Sequence, residues 1–166
     1  MKATGVIRIE GARIGFRNFE GKAGKFNPPG NRNFCVFLDY DLGRDLEQDG
    51  WNVRWLEPRD ESEDKQPYLQ VAVNFEVFPP TVIMITSSGK TALTEETVQL
   101  LDWAEIVNVD IIIRPYNWEV NGKSGVKAYV KSMYVTLAED DFERKYKNVP
   151  DSALNSLADP NGSDPF

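Results

Sequence analysis

Residues 106–137 read IVNVDIIIRPYNWEVNGKSGVKAYVKSMYVTL. Two apolar, strand-forming runs, 106–120 and 124–137, flank Asn121-Gly122. That dipeptide is the strongest short hairpin signal available, because both central residues of a type I′ turn need positive φ. Period-two alternation then assigns the faces. On the first run Val107, Val109, Ile111 and Ile113 take one side, and Arg114, Tyr116 and Trp118 the other. On the second, Val126, Ala128 and Val130 oppose Lys127, Tyr129 and Lys131. A two-residue turn pairs 116 with 127 and 114 with 129; a four-residue turn pairs 116 with 129 and 114 with 131. Either register gathers Arg114, Tyr116, Trp118, Lys127, Tyr129 and Lys131 on one face, with Lys123 near the turn, whereas a three-residue turn separates them.

Upstream, residues 3–17 read as a long first strand with Ile7 and Ile9 on one face, interrupted at Gly11 and Gly15 where a strand bulges or coils. The segment RNFEGKAGKFNPPGNRNF (17–34) follows; its glycines and Pro28-Pro29 make it a loop. FCVFLDY (34–40) is a second strand, with Phe34 in the core. Residues 41–50 suggest a short helix capped by Asp41 and stopped by Gly50. Trp51 to Leu56 form a brief extra strand, and PRDESEDKQP (58–67) a solvated acidic loop. In YLQVAVNFEVF (68–78), Leu69, Val71, Val73, Phe75 and Val77 oppose Gln70, Asn74 and Glu76. After the Pro79-Pro80 break, TVIMIT (81–86) is extended again. Thr94 is placed to cap a helix running to Asp102, with Glu95 and Glu96 in its first turn.

This order predicts a mainly β chain: an OB-fold five-stranded barrel with a helix between strands 3 and 4, and a helical, acidic insertion after strand 2. The loops joining strands 1–2 and 4–5 of that fold are its usual nucleic-acid sites. Residues 1–148 are expected to form this nucleic-acid-binding domain, and 149–166 a flexible acidic C-terminal tail.

Charge supports the same two loops. The chain of 166 residues has a net charge of −7 and a pI near 4.7, yet the charges are segregated. Residues 1–34 carry seven Lys/Arg against two Glu, and residues 111–138 carry four against one; residues 35–110 carry five against sixteen acids. The two basic segments are the first loop and the last hairpin. Such segments suit single-stranded nucleic acid. Unpaired bases stack on aromatic rings, and Lys/Arg neutralise phosphates and release counterions. A duplex hides its base faces. In the first loop the candidates are Phe19 and Phe26 for stacking, and Arg17, Lys22, Lys25 and Arg32 for phosphate.

Composition narrows the alternatives. With no histidine and one cysteine, a zinc site or a histidine-based triad is out of reach within one chain. Cys35, in an apolar run, reads as a buried structural thiol, and a reducing, cytoplasmic setting follows. No apolar run approaches membrane-spanning length, and MKATGVIRIEG has no leader-like character. SSGKT (87–91) resembles the end of a phosphate-binding loop, but the required earlier glycine falls on Met84, so it reads as a turn. The acids between 39 and 110 match no metal-ligand motif. No catalytic residue, metal or cofactor is expected; the chain reads as a binder rather than an enzyme. Its rivals are a metal-dependent nuclease and a structural or protein-interaction module.

The chain ends Ser-Asp-Pro-Phe, after Asp151 and Asp159. Asp159, Asp164, Pro165 and Phe166 form a handle whose terminal ring and carboxylate a partner protein can capture. This ending resembles the acidic tails of bacterial single-stranded DNA-binding proteins, which close on Ile-Pro-Phe, although here the acidic run is diluted and Asp164 stands in place of the Ile. More broadly, GARIGFRNFEGKAGKFNPPGNRNFCVFLD, DGWNVRWLEPRD, LDWAEI and PYNWEVNGKSGVKAYVKSMYVTL resemble segments of bacteriophage single-stranded DNA-binding proteins with an OB fold. The resemblance covers roughly residues 5–145. It implies a protein of DNA replication or recombination that coats single strands in the cytoplasm of an infected host cell. It also implies contact through Arg17 to Arg32 and Arg114 to Lys131, with replication or recombination proteins recruited by the tail. An edge strand of an open barrel would leave room for a homodimer.

Overall fold

The Asn121-Gly122 turn takes the two-residue form. In the computed structural model, which describes residues 3–138, Val120 pairs with Lys123, Tyr116 with Lys127 and Arg114 with Tyr129. Asn121 and Gly122 have φ of 51° and 78°, as a type I′ turn requires. The hairpin joins β8 (Ile106–Val120) to β9 (Lys123–Leu137). Val109, Ile111 and Ile113 on β8 are buried, as are Ala128 and Val130 on β9. Further along β9 the buried residues change parity to Met133 and Val135. The cause is a bulge at Lys131: Ile113 pairs with Val130, but Ile112 pairs with Ser132.

The preceding elements are β1 (Ile7–Ile9), β2 (Arg13–Asn18), β3 (Arg32–Phe37), α1 (Tyr40–Gln48), β4 (Arg54–Leu56), β5 (Gln66–Val73), β6 (Thr81–Thr86), β7 (Gly89–Leu93) and a 3₁₀ helix (Val98–Asp102). The main strand order is β1-β8-β9-β5-β3-β2. Because β1 and β2 are the two halves of one bent strand, this order runs round a barrel: first strand, fourth, fifth, third, second, first. That is the predicted OB-type order. Between the halves, Gly11 N–H donates to Asp110 Oδ1 at 2.9 Å and Ala12 N–H to Val109 O at 2.7 Å, so the bend is tied to β8. The pairing of β5 with β9 is parallel, and the other neighbours on the path are antiparallel.

The core is built from the inward-facing residues of these strands. Phe34, Val36, Leu69, Val71, Ile111, Ile113 and Met133 are at most 2% exposed, and each such side chain contributes about 1.5–3 kcal/mol by leaving water. Val98 and Leu101 of the 3₁₀ helix join the same cluster.

Local hydrogen bonding moved several boundaries. The expected strand 68–78 stops at Val73, because Asn74 Oδ1 accepts the N–H groups of Glu76 and Val77 at 2.9 Å and turns the chain. Val77 is consequently exposed. The helix expected over 94–102 shrinks to its last five residues. Thr97 Oγ1 accepts the Thr94 N–H at 2.8 Å, which forms a local turn in place of a helix cap. α1 has Asp39, not Asp41, at its N-cap, with no side-chain cap bond. SSGKT does lie at a turn, but one joining β6 to an unforeseen strand, β7, and β6 pairs in parallel with the second half of β9. Among the described residues no helix is long and apolar enough to cross a membrane.

Candidate nucleic-acid interface

The first loop is held at its base by the 3₁₀ helix. Arg17 Nη1 donates to Leu101 O at 2.8 Å and Ala104 O at 2.9 Å, satisfying carbonyls where that helix ends. Asp102 accepts the N–H groups of Phe19 at 2.7 Å and Glu20 at 3.0 Å. Within the loop two asparagines act as staples. Asn18 Oδ1 accepts from the N–H of Gly21 and Lys22. Asn27 Nδ2 lies within donor range of the carbonyls of Lys22, Pro28 and Asn31, while its Oδ1 accepts from Asn31 and Asn33. Gly24 and Asn27 exchange backbone bonds of 2.8 and 3.2 Å. This tight turn presents Phe26, 91% exposed, with the Lys25 ammonium 5.5 Å from its ring centroid.

One expectation for this loop is corrected. Phe19 is 0% exposed and stacks on Phe34 at 4.9 Å between centroids; it is a core residue and offers no face to a base. Arg17 spends hydrogen-bonding capacity on the 3₁₀ helix, which makes it a structural clamp. Arg32 is partly committed too: its Nη1 lies 3.5 Å from Glu95 Oε1, leaving its buried Nε without a protein partner. Lys22 is exposed, 3.5 Å from Glu20 Oε2.

On the hairpin, Arg114, Tyr116, Lys127 and Tyr129 are brought together as the two-residue register requires. Phe78, which the sequence reading passed over, joins them. Its ring lies 5.6 Å from Tyr116 and 4.8 Å from Tyr129, with the Arg114 guanidinium 5.8 Å from its centroid. Lys127 Nζ sits 5.3 Å from the Tyr129 ring. The cluster covers Tyr129, which is 7% exposed, so this ring is packing rather than an open platform. Tyr116, 45% exposed, keeps a free face. Lys131 falls in the bulge, exposed and outside the paired array, and Lys123 is exposed beside the turn. Trp118 is 37% exposed and lies across the facing strand at Gly125, where an added Cβ would come 2.7 Å from its Cζ2. Only glycine permits so close a seat.

Between loop and hairpin runs a trough made of three adjoining hollows. One of about 690 Å³ lies at the hairpin tip, against Trp51, Asn52 and Trp118. The next, about 280 Å³, shares those three residues and is floored by Asn33, Gln70 and Ala72, with Lys127 on its wall. The third, about 360 Å³, shares Lys127 and Ala72 and reaches Arg32, Glu95 and Tyr129 at the base of the first loop. Asn33, Gln70 and Ala72 are outward positions of β3 and β5, alternating with the core residues Phe34, Leu69 and Val71. Gln70 was legible as outward-facing; Trp51 was not, because an apolar residue after a helix carries no sign that it will wall a groove. Asp159, Asp164, Pro165 and Phe166 lie outside the described residues. Among the described residues no group of three or more His, Cys, Asp or Glu side chains is placed to hold a metal ion. Beside the trough floor, Cys35 pairs with Gly15 and Gln70; burial pushes its thiol pKa up, and the nearby Arg54 charge pulls the other way.

The sequence matches the model of a family described as phage ssDNA-binding domain over residues 2–165. The chain belongs to this family. Structures of similar fold include the single-stranded DNA-binding protein from bacteriophage Enc34. Its complex with ssDNA matches with a TM-score of 0.53 at 10% identity, covering 83% of this chain and 89% of that one. A second structure of the same protein gives a TM-score of 0.53 at 12% identity, covering 91% and 90%. Its C-terminal truncation gives 0.52 at 11% identity, covering 82% and 87%. At these identities the likeness is one of fold. No curated protein sequence matches the chain. For this member of the phage family, the loop and hairpin that flank the trough are the two basic segments of the sequence.

Proposed function

We propose that the chain binds single-stranded DNA along this trough, with little regard to sequence and without catalysis. The observation that carries the reading is the continuity of the trough: Trp118, Lys127, the amide floor of β3 and β5 and the base of the first loop share adjoining hollows, in a member of a phage ssDNA-binding family. Bases stack on Trp118 and Tyr116, and Phe26 offers a further ring from the first loop. Lys127, Lys22, Lys25, Lys123 and Lys131 neutralise phosphates, with Arg32 and Arg114 positioned behind them. The Enc34 protein of similar fold, described in complex with ssDNA, supports the same direction. Coating of single strands places the protein in phage DNA replication or recombination, inside the infected host cell. Residues 1–148 act as the binding domain. The tail, 149–166, recruits a protein partner through Asp159, Asp164, Pro165 and Phe166, and pairing of two copies through a barrel edge belongs to the same reading.

The test is titration with mixed-sequence single- and double-stranded oligonucleotides, and with matched RNA, at several salt concentrations while following tryptophan fluorescence. Quenching by single strands, with affinity falling steeply as salt rises, is the expected result. Absence of binding at low salt overturns the reading. Magnesium-dependent cleavage of the oligonucleotide, abolished by chelator, would replace it with the nuclease. Deletion of Asp159 to Phe166 is expected to spare or tighten DNA binding and to weaken partner capture.

A further inference from the structure

The outer face of the barrel carries a second aromatic and basic row that neither loop includes. Arg13 on β2 pairs with Phe37 on β3, Phe37 with Tyr68 on β5, and Tyr68 with Arg54 on β4. Four adjacent strands thus set two rings between two guanidinium groups. The Phe37 and Tyr68 centroids are 6.4 Å apart. Phe37 is seated as Trp118 is: a Cβ on Gly15 of the facing strand would come 2.7 Å from its Cε2, so the ring lies against bare backbone. Beside it stands Phe16, whose centroid is 6.2 Å from that of Phe37.

Phe16 is the least expected residue of the row. It is 69% exposed and has φ of 47°, a left-handed conformation that is rare and costly for a bulky side chain. It lies at the bulge where the β2–β3 register shifts between Gly15 and Asn18. A glycine would meet that φ without strain, and an exposed ring gains little from packing. Phenylalanine here costs the fold at both counts, as a ligand-contacting side chain can.

The row lies on the face that floors the trough. Asn33 and Ala72 line the trough, and Phe37 and Tyr68 are four residues further along the same two strands, about 13 Å away. Gln70, another trough residue, and Cys35 lie between. A strand leaving the trough over Gln70 therefore meets a second pair of rings flanked by cations.

We infer that Phe16, Phe37 and Tyr68, flanked by Arg13 and Arg54, form a second stacking subsite for single-stranded DNA, so that the strand crosses the barrel face beyond the trough. This rests on the single-strand reading proposed above, and it deepens that reading by fixing the path. Bases stack on Phe16 and the Phe37–Tyr68 pair, and the arginines meet the phosphates on either side.

The experiment compares native protein with Phe16→Gly, Arg54→Ala and Trp118→Ala, titrating labelled oligothymidylates of increasing length and reading anisotropy. Phe16→Gly relieves the left-handed φ, so its melting temperature should stay close to native. Arg54→Ala alters an exposed charge and supplies an independent variant. For native protein, affinity should rise with length until both subsites are filled. Phe16→Gly and Arg54→Ala should bind the shortest oligonucleotides as native does, yet lose about five-fold or more on the longer ones. Trp118→Ala should lose affinity at every length. Phe16→Gly and Arg54→Ala that match native at all lengths overturn the second subsite and leave the trough standing. Equal losses on short and long oligonucleotides overturn it too, since the residues would then belong to the first contact. Failure of the native protein to bind any length is a failure of the single-strand reading itself.

Discussion

Gly125→Ala should weaken DNA binding without weakening the fold, because the three atoms nearest its methyl group all belong to the Trp118 ring. Gly125 faces Trp118 across the hairpin. A Cβ there would lie 2.7 Å from Cζ2, 2.8 Å from Cε2 and 3.0 Å from Nε1 of the indole. Carbon atoms rest at about 3.5–4.0 Å, so the ring must lift by about 1 Å or swing aside. The backbone does not object, since Gly125 does not adopt a positive φ. Replacing such a glycine by alanine restricts the unfolded chain and is worth about 0.4–1 kcal/mol of stability, against which the cost of moving the ring is set. A melting temperature near or slightly above native is therefore expected. Stacking on an aromatic ring is worth about 1–3 kcal/mol per base, and a displaced ring forfeits part of it. The expected loss for Gly125→Ala is about 1 kcal/mol, or about five-fold in Kd; Trp118→Ala should reach the full range, about 5- to 150-fold. Anisotropy of a labelled oligonucleotide measures both, and the double variant should match Trp118→Ala alone, because alanine at 125 then has no ring to move. Native affinity for Gly125→Ala beside a weakened Trp118→Ala would refute the poised seat. Native affinity for both would remove Trp118 from the interface.

Other outcomes follow from the same geometry. Phe19→Ala should destabilise the protein by about 3–5 kcal/mol in urea unfolding, because it empties a fully buried ring site against Phe34; intact stability with lost DNA binding would return Phe19 to the interface. Asp102→Ala leaves the N–H groups of Phe19 and Glu20 without their acceptor and should cost about 1–3 kcal/mol, read as a lower urea midpoint. Lys127→Ala should reduce the slope of log K against log salt by about 0.7, the share of one phosphate contact on a single strand; an unchanged slope would take Lys127 off the phosphate path. Cys35, its pKa raised by burial despite the Arg54 charge, holds less thiolate at any given pH than a free cysteine. Alkylation should accordingly be slow in the native state and fast in urea, and rapid native labelling would contradict that burial.

The sequence made the barrel and hairpin legible because their signals are local. Asn121-Gly122 determined the turn, and alternation in 108–130 determined which residues share a face; Val107, assigned with Val109, is instead exposed, because the register shifts between Ile106 and Asn108. Beyond 130 alternation misleads, since the bulge at Lys131 shifts parity and no single residue type announces a bulge. Phe19 shows a second limit. It stands in a glycine-rich basic segment and looks like a loop residue, yet Asp102 draws its backbone in by a contact 83 residues away. Phe78 shows a third: after a strand and before two prolines it reads as a terminus, and only the fold carries it to Tyr116 and Tyr129. Nor could pattern reveal Phe16, whose role turns on a backbone angle. Phe19 and Phe78 share one origin, in that each depends on contacts between segments remote in sequence.

The first loop changes how affinity should be understood. Five of the residues from 17 to 34 are glycine or proline, by composition alone a recipe for a mobile flap, yet Asn18, Asn27 and Asp102 bind its backbone at both ends and in the middle. Ordering a free residue costs about 1–2 kcal/mol of backbone entropy, a cost that a flap would meet each time it closed over DNA. In this loop the side-chain staples meet it during folding. On the proposed reading, the wall carrying Lys22, Lys25 and Phe26 is then already in place when a strand arrives, and its contacts should add to affinity without that deduction. A preformed wall also explains why glycines are tolerated here. Gly21, with φ of 77°, packs where an added Cβ would approach the Gly30 backbone to 2.9 Å. Gly21 therefore serves close backbone packing, and the loop's stiffness comes from the asparagines that bridge its backbone.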